Sequence, residues 1–194
     1  MMSDNLPAIS LSPSPPSIPM SIFRQGLLRD AVVVVTGGGT GIGRGIALEA
    51  ATLGATVFIA SRRLAVLEAA AKEMNSILAK VGDAKGNVIP VVCDIRSEAS
   101  IVAMLDAIRS LGMVVTHLVN CGGGQFLSPA ENISSKGWKS VVDLNLNGTF
   151  QMIKATFDGH KKNVDEALTR GVAMPKLNIV NIVADMFRGF PLMV

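Results

Sequence analysis

Five short runs rich in β-branched residues recur along the chain, four of them followed by a longer stretch of helical composition. That alternation limits the possible folds more than any other feature. The runs are Ala31–Val35, Thr56–Ala60, Val88–Cys93, His117–Asn120 and Leu177–Val183. They are apolar on both faces, as strands of a parallel sheet are when helices cover both sides. The intervening stretches, Ile42–Leu53, Leu64–Val81, Ser97–Leu111 and Ser135–His160, read as helices. Ser97 is a natural N-cap, and Gly54 and Gly82 stand where glycines end helices. The expected class is α/β, a doubly wound parallel sheet with right-handed crossovers.

Composition narrows the partners. With 49% hydrophobic and 17% charged residues in 194, the chain can build one globular core. A net charge of +3 with scattered basic residues and no Tyr argues against a nucleic-acid surface. No apolar run reaches the ~18 residues of a membrane-spanning helix. Cys93 and Cys121 sit in or beside strand-like runs and read as buried thiols. Their spacing offers no zinc site or disulfide framework, so no metal is expected and a reducing, intracellular compartment is. Residues 1–26, with a Pro- and Ser-rich start, read as a disordered leader, and residues 27–194 as the folded domain. Met1 and Met20 are both open as starts.

The first strand runs directly into VTGGGTGIGRGIA. A strand, a glycine turn and a helix start in immediate succession place main-chain N–H groups and a helix N-terminus where a pyrophosphate can sit. The pattern T-G-x-x-x-G-x-G falls on Thr36, Gly37, Gly41 and Gly43, with Gly39 and Ile42 inside it. A flexible turn is the alternative. About 20 residues on, NAD-binding sequences carry an acid for the ribose. Here Ser61, Arg62 and Arg63 close the second strand. Arginine pairs with a 2′-phosphate that a carboxylate would repel, and Arg44 points the same way. The expected cofactor is NADP(H), against a solvated arginine pair at a strand end.

On these residues the sequence resembles the short-chain dehydrogenase/reductase superfamily from about Leu27 to Pro191. The glycine turn matches in full. The resemblance implies that Asp94 and Ile95, in CDI, meet the adenine ring. It also makes Asn120 and Gly122, in NCGG, the counterpart of an N-N-A-G motif with Cys121 replacing its second Asn. Asn145, in DLNLNGTF, matches the asparagine that bends a helix and holds a water in the proton relay, the one catalytic candidate. The implied Rossmann-type sheet has strand order 3-2-1-4-5. NCGGGQFLSPAENISSKGW, residues 120–138, is similar to peroxisomal trans-2-enoyl-CoA reductases and their 2,4-dienoyl-CoA relatives. That likeness implies Gln125, Ser128 and Phe126 as substrate contacts, with Leu127 beside them. An ordinary connecting loop is the alternative from residues alone. Trp138 reads as a packing anchor.

The implied chemistry is hydride delivery from NADPH to the β-carbon of an enoyl-CoA. Two departures qualify it. NIVAD places Val183 and Ala184 where the superfamily has a catalytic serine, and neither donates a hydrogen bond. Adjacent Asp185 reads as a solvated acid at a strand end. The Tyr-x-x-x-Lys pair is expected just beyond Pro191, where the chain stops, and no Tyr is present. The fifth strand would also be an exposed apolar edge. The expectation is therefore the N-terminal part of a longer homo-oligomeric reductase, in the peroxisome or cytoplasm. The alternatives are a non-catalytic NADP-binding fragment and a reductase of ketones or 3-ketoacyl substrates.

Overall fold

The computed structural model describes residues 21–80, 86–126, 128–174 and 176–184. Its sheet has five parallel strands in the order β3-β2-β1-β4-β5, formed by β1 (Val32–Thr36), β2 (Thr56–Ser61), β3 (Asn87–Val92), β4 (His117–Asn120) and β5 (Asn178–Asn181). The expected order and class are observed. The helices are α1 (Gly41–Thr52), α2 (Leu64–Leu78), α3 (Glu98–Ser110), α4 (Ser135–Val142) and α5 (Thr149–Thr169).

Alternation along each central strand builds two cores. Val33 and Val35 of β1, with Val57 and Ile59 of β2, face Ala47, Ala51, Leu67, Ala71 and Met74 of α1 and α2. Val34 and Phe58 face the other way, onto Ile101, Met104 and Ile108 of α3 and Met152 of α5. Small alanines on α1 and α2 let those helices lie close on the β-branched surface, where every removed methylene would leave a void.

Only the central strands match the expectation of burial on both faces. β3 and β5 are edges, and β5 leaves Val180 half exposed. The edge at β3 is managed locally. The Asn75 amide of α2 donates to the Val88 carbonyl and accepts from the Val88 N–H, both at 2.8 Å, occupying groups a neighbouring strand would otherwise seek.

Ser97 caps α3 by accepting from the Ser100 N–H, and Gly54, at φ +103°, ends the turn after α1. Gly82, Leu127, Asp185 and Pro191 lie outside the described residues. Residues near the expected domain boundary run in turns. The Ser21 hydroxyl donates to the Glu49 carboxylate of α1, and the Leu28 N–H to the Leu53 carbonyl.

The largest difference from the sequence pattern lies after β4. The single helix expected over Ser135–His160 is two helices joined by a π-turn at Asp143–Gly148, and α5 continues to Thr169. The apolar period cannot reveal an inserted residue, because a π-turn leaves helical spacing nearly intact on either side.

Candidate active site

Where β1 ends, the chain leaves the sheet toward α1 on one side while β4 continues the sheet on the other. This is the switch point at which open α/β sheets hold ligands. A cleft of about 540 Å³ lies there, walled by Thr36, Gly37, Gly39, Gly41, Ile42 and Gly43 from the first turn. Ser61, Arg62 and Arg63 wall it from the end of β2, Asp94 and Ile95 from the end of β3, and Gly122 from the end of β4.

The glycine turn is compact for a steric reason. Gly37 has φ +69°, and a Cβ there would come 2.9 Å from the Cys121 carbonyl oxygen. A Cβ on Gly43 would stand 2.6 Å from the Gly37 carbonyl oxygen. A larger side chain at Gly37 would push away the loop after β4, and one at Gly43 would push the first turn of α1 off the glycine turn. Beneath the turn, buried Thr36 Oγ1 accepts from the N–H of Cys121 at 3.1 Å and of Gly122 at 2.9 Å. That hydroxyl fastens the loop after β4 to the loop after β1.

The two helices that open onto the cleft start without side-chain caps. Thr40 before α1 and Arg63 before α2 make no capping hydrogen bond, and neither helix has an acid in its first turn. α3 and α4, starting elsewhere, are capped by Ser97 and Ser134. Uncapped first-turn N–H groups with the positive end of the helix dipole suit an anion. Among the described residues, neither Arg62 nor Arg63 takes part in an ion pair. The donor set therefore fits a dinucleotide phosphate.

Arg44 takes another direction. It points to α2 and pairs with Glu73 at 2.7 Å, and it is absent from the cleft wall. Asp94 is gripped by Arg96, whose hydrogen bonds hold its carboxyl below the usual carboxylate range, with help from the charge of Arg62. Burial pushes the Cys93 thiol up to about 11. The Cys121 thiol is also raised by burial, partly offset by the nearby main chain of Gly43. Both cysteines line the cleft as neutral, small apolar groups.

Cys121, Gly122 and Gly123 also belong to a second pocket of about 560 Å³, so the two cavities share a wall. Asn120, Gln125, Phe126 and Asn145 line it, whereas Ser128 lines neither cavity. Its remaining lining is mostly apolar: Ile133, Trp138, Val141, Ile182, Val183 and Ala184. The Phe126 ring lies over Gly137 of α4, where a Cβ would come 2.8 Å from it. Trp138 is not the expected packing anchor. It is 65% exposed, because it faces out from α4 along the pocket rim and not toward the sheet.

Asn145, in the π-turn, clasps the loop after β4: its Nδ2 donates to the Gly124 carbonyl and its Oδ1 accepts from the Gly124 N–H, both at 2.9 Å. On the opposite side, Asn120 Nδ2 donates to Asn181 Oδ1 of β5 at 2.9 Å.

Val66, Leu144, Ile133 and Val141 are wall residues that the motifs did not single out. A signal for some of them was present. Trp138, Val141 and Asn145 are spaced three and four apart, which places them on one helix face. Ile133 carries no such mark, because its position depends on the path of the preceding loop.

A family profile described as short chain dehydrogenase matches residues 31–165. A peroxisomal 2,4-dienoyl-CoA reductase from Pongo abelii is 35% identical over 138 residues, covering 71% of this chain and 45% of that protein. The structure of a citronellol catabolism dehydrogenase from Pseudomonas aeruginosa PAO1 superposes with a TM-score of 0.69 at 35% identity. It covers 88% of this chain and 63% of that one. An actinorhodin polyketide ketoreductase solved with NADPH gives a TM-score of 0.64 at 28% identity, over 79% of this chain and 53% of that one. The chain spans less than half the length of the curated relatives it matches.

Proposed function

This chain belongs to the short-chain dehydrogenase family, and from that premise we propose that it serves NADPH-dependent reduction of enoyl-CoA thioesters. The observation that carries the reading is the shared wall at Cys121–Gly123. There a cleft fitted to a dinucleotide meets an apolar pocket of about 560 Å³ with room for an acyl chain. Arg62 and Arg63, at the end of β2, favour the 2′-phosphate form of the cofactor.

A bound nicotinamide would supply the hydride taken up by the β-carbon of the enoyl thioester, and a proton taken up at the α-carbon would complete the reduction. The chain's own groups position the partners. Thr36 and Asn145 hold the loop after β4 from its two ends, so Gly122 and Gly123 present bare backbone at the junction. Phe126, Ile133 and Val141 exclude water from the acyl chain. Gln125 offers an amide toward the thioester, where negative charge develops and a donor is worth most. The Asn145 amide is committed to Gly124, so its share in a proton relay runs through main-chain groups of the π-turn.

A second reading, carbonyl reduction of a ketone or 3-ketoacyl substrate, has the ketoreductase likeness in its favour. Against it stand Val183 and Ala184, which line the second pocket where a hydroxyl donor would serve a carbonyl. A third reading is nucleotide binding without catalysis. The names of two relatives support a peroxisomal site, and half-exposed Phe150 and Phe157 on α5 support self-association of the whole protein.

Titration of NADPH fluorescence, with and without crotonyl-CoA and a 3-ketoacyl-CoA, tests all three. Turnover of crotonyl-CoA supports enoyl reduction, turnover of the ketoacyl substrate alone replaces it with the second reading, and binding without turnover replaces it with the third.

A further inference from the structure

Asp94 sets an electrostatic problem for any phosphate at the far end of the cleft. Its carboxylate shares the wall with Arg62 and Arg63, near enough to Arg62 for the guanidinium to help keep it ionised. A 2′-phosphate drawn to the two arginines would also meet this negative charge, and like charges at a partly desolvated rim repel.

Arg96 stands behind Asp94 and is not part of the cleft wall. Its main-chain N–H and Nε donate to Asp94 Oδ1 at 3.1 and 2.9 Å, and its Nη2 donates to Oδ2 at 2.6 Å. The fork engages both oxygens, so it fixes the carboxylate plane and sets a full positive charge against it. Asp143, the other acid that acts on Arg96, is itself held by Lys139 and Asn147. The guanidinium is therefore left to Asp94.

We propose that Arg96 is a specificity-determining residue for the cofactor. By matching the charge of Asp94 from outside the cleft, it leaves Arg62 and Arg63 as an uncontested anion site for the 2′-phosphate of NADP(H). This rests on the NADP(H) reading above, and it assigns part of the discrimination to a side chain that does not touch the phosphate.

The test is the ratio of NADPH to NADH dissociation constants, read from nucleotide fluorescence in the full chain at low and at 0.5 M salt. Arg96→Met keeps an unbranched apolar stem and removes the guanidinium and its charge. It should weaken NADPH roughly fivefold, as suits a partly exposed charge pair, and leave NADH nearly unchanged. The gap should narrow in high salt, and Arg96→Lys should retain most of the preference. Adding Asp94→Asn to Arg96→Met should restore the ratio, because the repelling charge is gone. Equal weakening of both nucleotides, or a ratio that Arg96→Met does not change, overturns the proposal and leaves the NADP(H) reading standing. A wild-type chain with no preference for NADPH overturns both. Should the methionine variant not fold, Arg96→Lys and the salt dependence of the wild-type ratio carry the same comparison: a salt-independent ratio refutes the electrostatic argument.

Discussion

Replacing Thr36 by Val tests the joint on which both cavities depend. The two side chains have nearly the same shape, so the substitution deletes an acceptor and leaves packing almost unchanged. Thr36 is 1% exposed, and its hydroxyl accepts from two main-chain N–H groups, those of Cys121 and Gly122. A buried donor left without a partner costs about 1–3 kcal/mol. Cys121 and Gly122 are themselves half-buried, so water can partly compensate and the lower end applies, giving about 2 kcal/mol for the pair. In a chain of 194 residues that lowers Tm by about 4–8 °C. Thr36→Ser keeps the acceptor and loses one methyl, a change of about 1 kcal/mol. Thermal unfolding followed by circular dichroism, with NADPH affinity measured on the same samples, reads both effects. The valine variant should be the less stable of the two and should bind nucleotide more weakly, because Gly122 is no longer fixed at the junction. If valine proves as stable as serine and binds equally well, Thr36 does not hold the two loops together and the reasoning fails.

Gly43→Ala should weaken nucleotide binding by more than tenfold and cost about 1–3 kcal/mol of stability, since the new Cβ meets main-chain atoms that cannot rotate away. An affinity within twofold of wild type in a titration would refute the steric account of the turn. His117 should make stability fall with acid. Its Nε2 accepts from Asn178 Nδ2, which leaves Nδ1–H to donate to Thr116 Oγ1, so the neutral ring fits the site. Burial lowers the pKa of this ring. A depressed folded value means the contribution is complete above the unfolded value of about 6.5 and is lost as the pH falls from there through the lower folded value, by at most about 1.4 kcal/mol per unit. Urea unfolding at pH 7.5 and 5.5 should show a larger loss for wild type than for His117→Asn, and equal losses would remove His117 as the cause.

The alternation of strands and helices, the glycine turn, the arginine pair after β2 and the Ser97 cap were all legible in the sequence. Each is a local matter of composition, spacing or chain direction, carried by residues within one or two turns of each other. The strand order followed from the family resemblance and not from the residues alone. What the sequence did not disclose depends on partners far along the chain. Thr36 meets residues 85 and 86 positions away, Asn145 meets Gly124 across 21, and Asn120 meets Asn181 across 61.

Tertiary packing also decided between neighbours that look alike in the sequence. Arg62 and Arg63 face the cleft, while Arg44, just past the last glycine of the motif, is turned toward Glu73 by the close approach of α1 and α2. Trp138 faces out along a pocket rim because α4 presents Gly137, not its indole, to the Phe126 ring. Local order determined which elements form and where the glycine turn lies. The choice of side chains that face the cleft belongs to the packed structure, because direction on a helix acquires meaning only when a second element lies beside it.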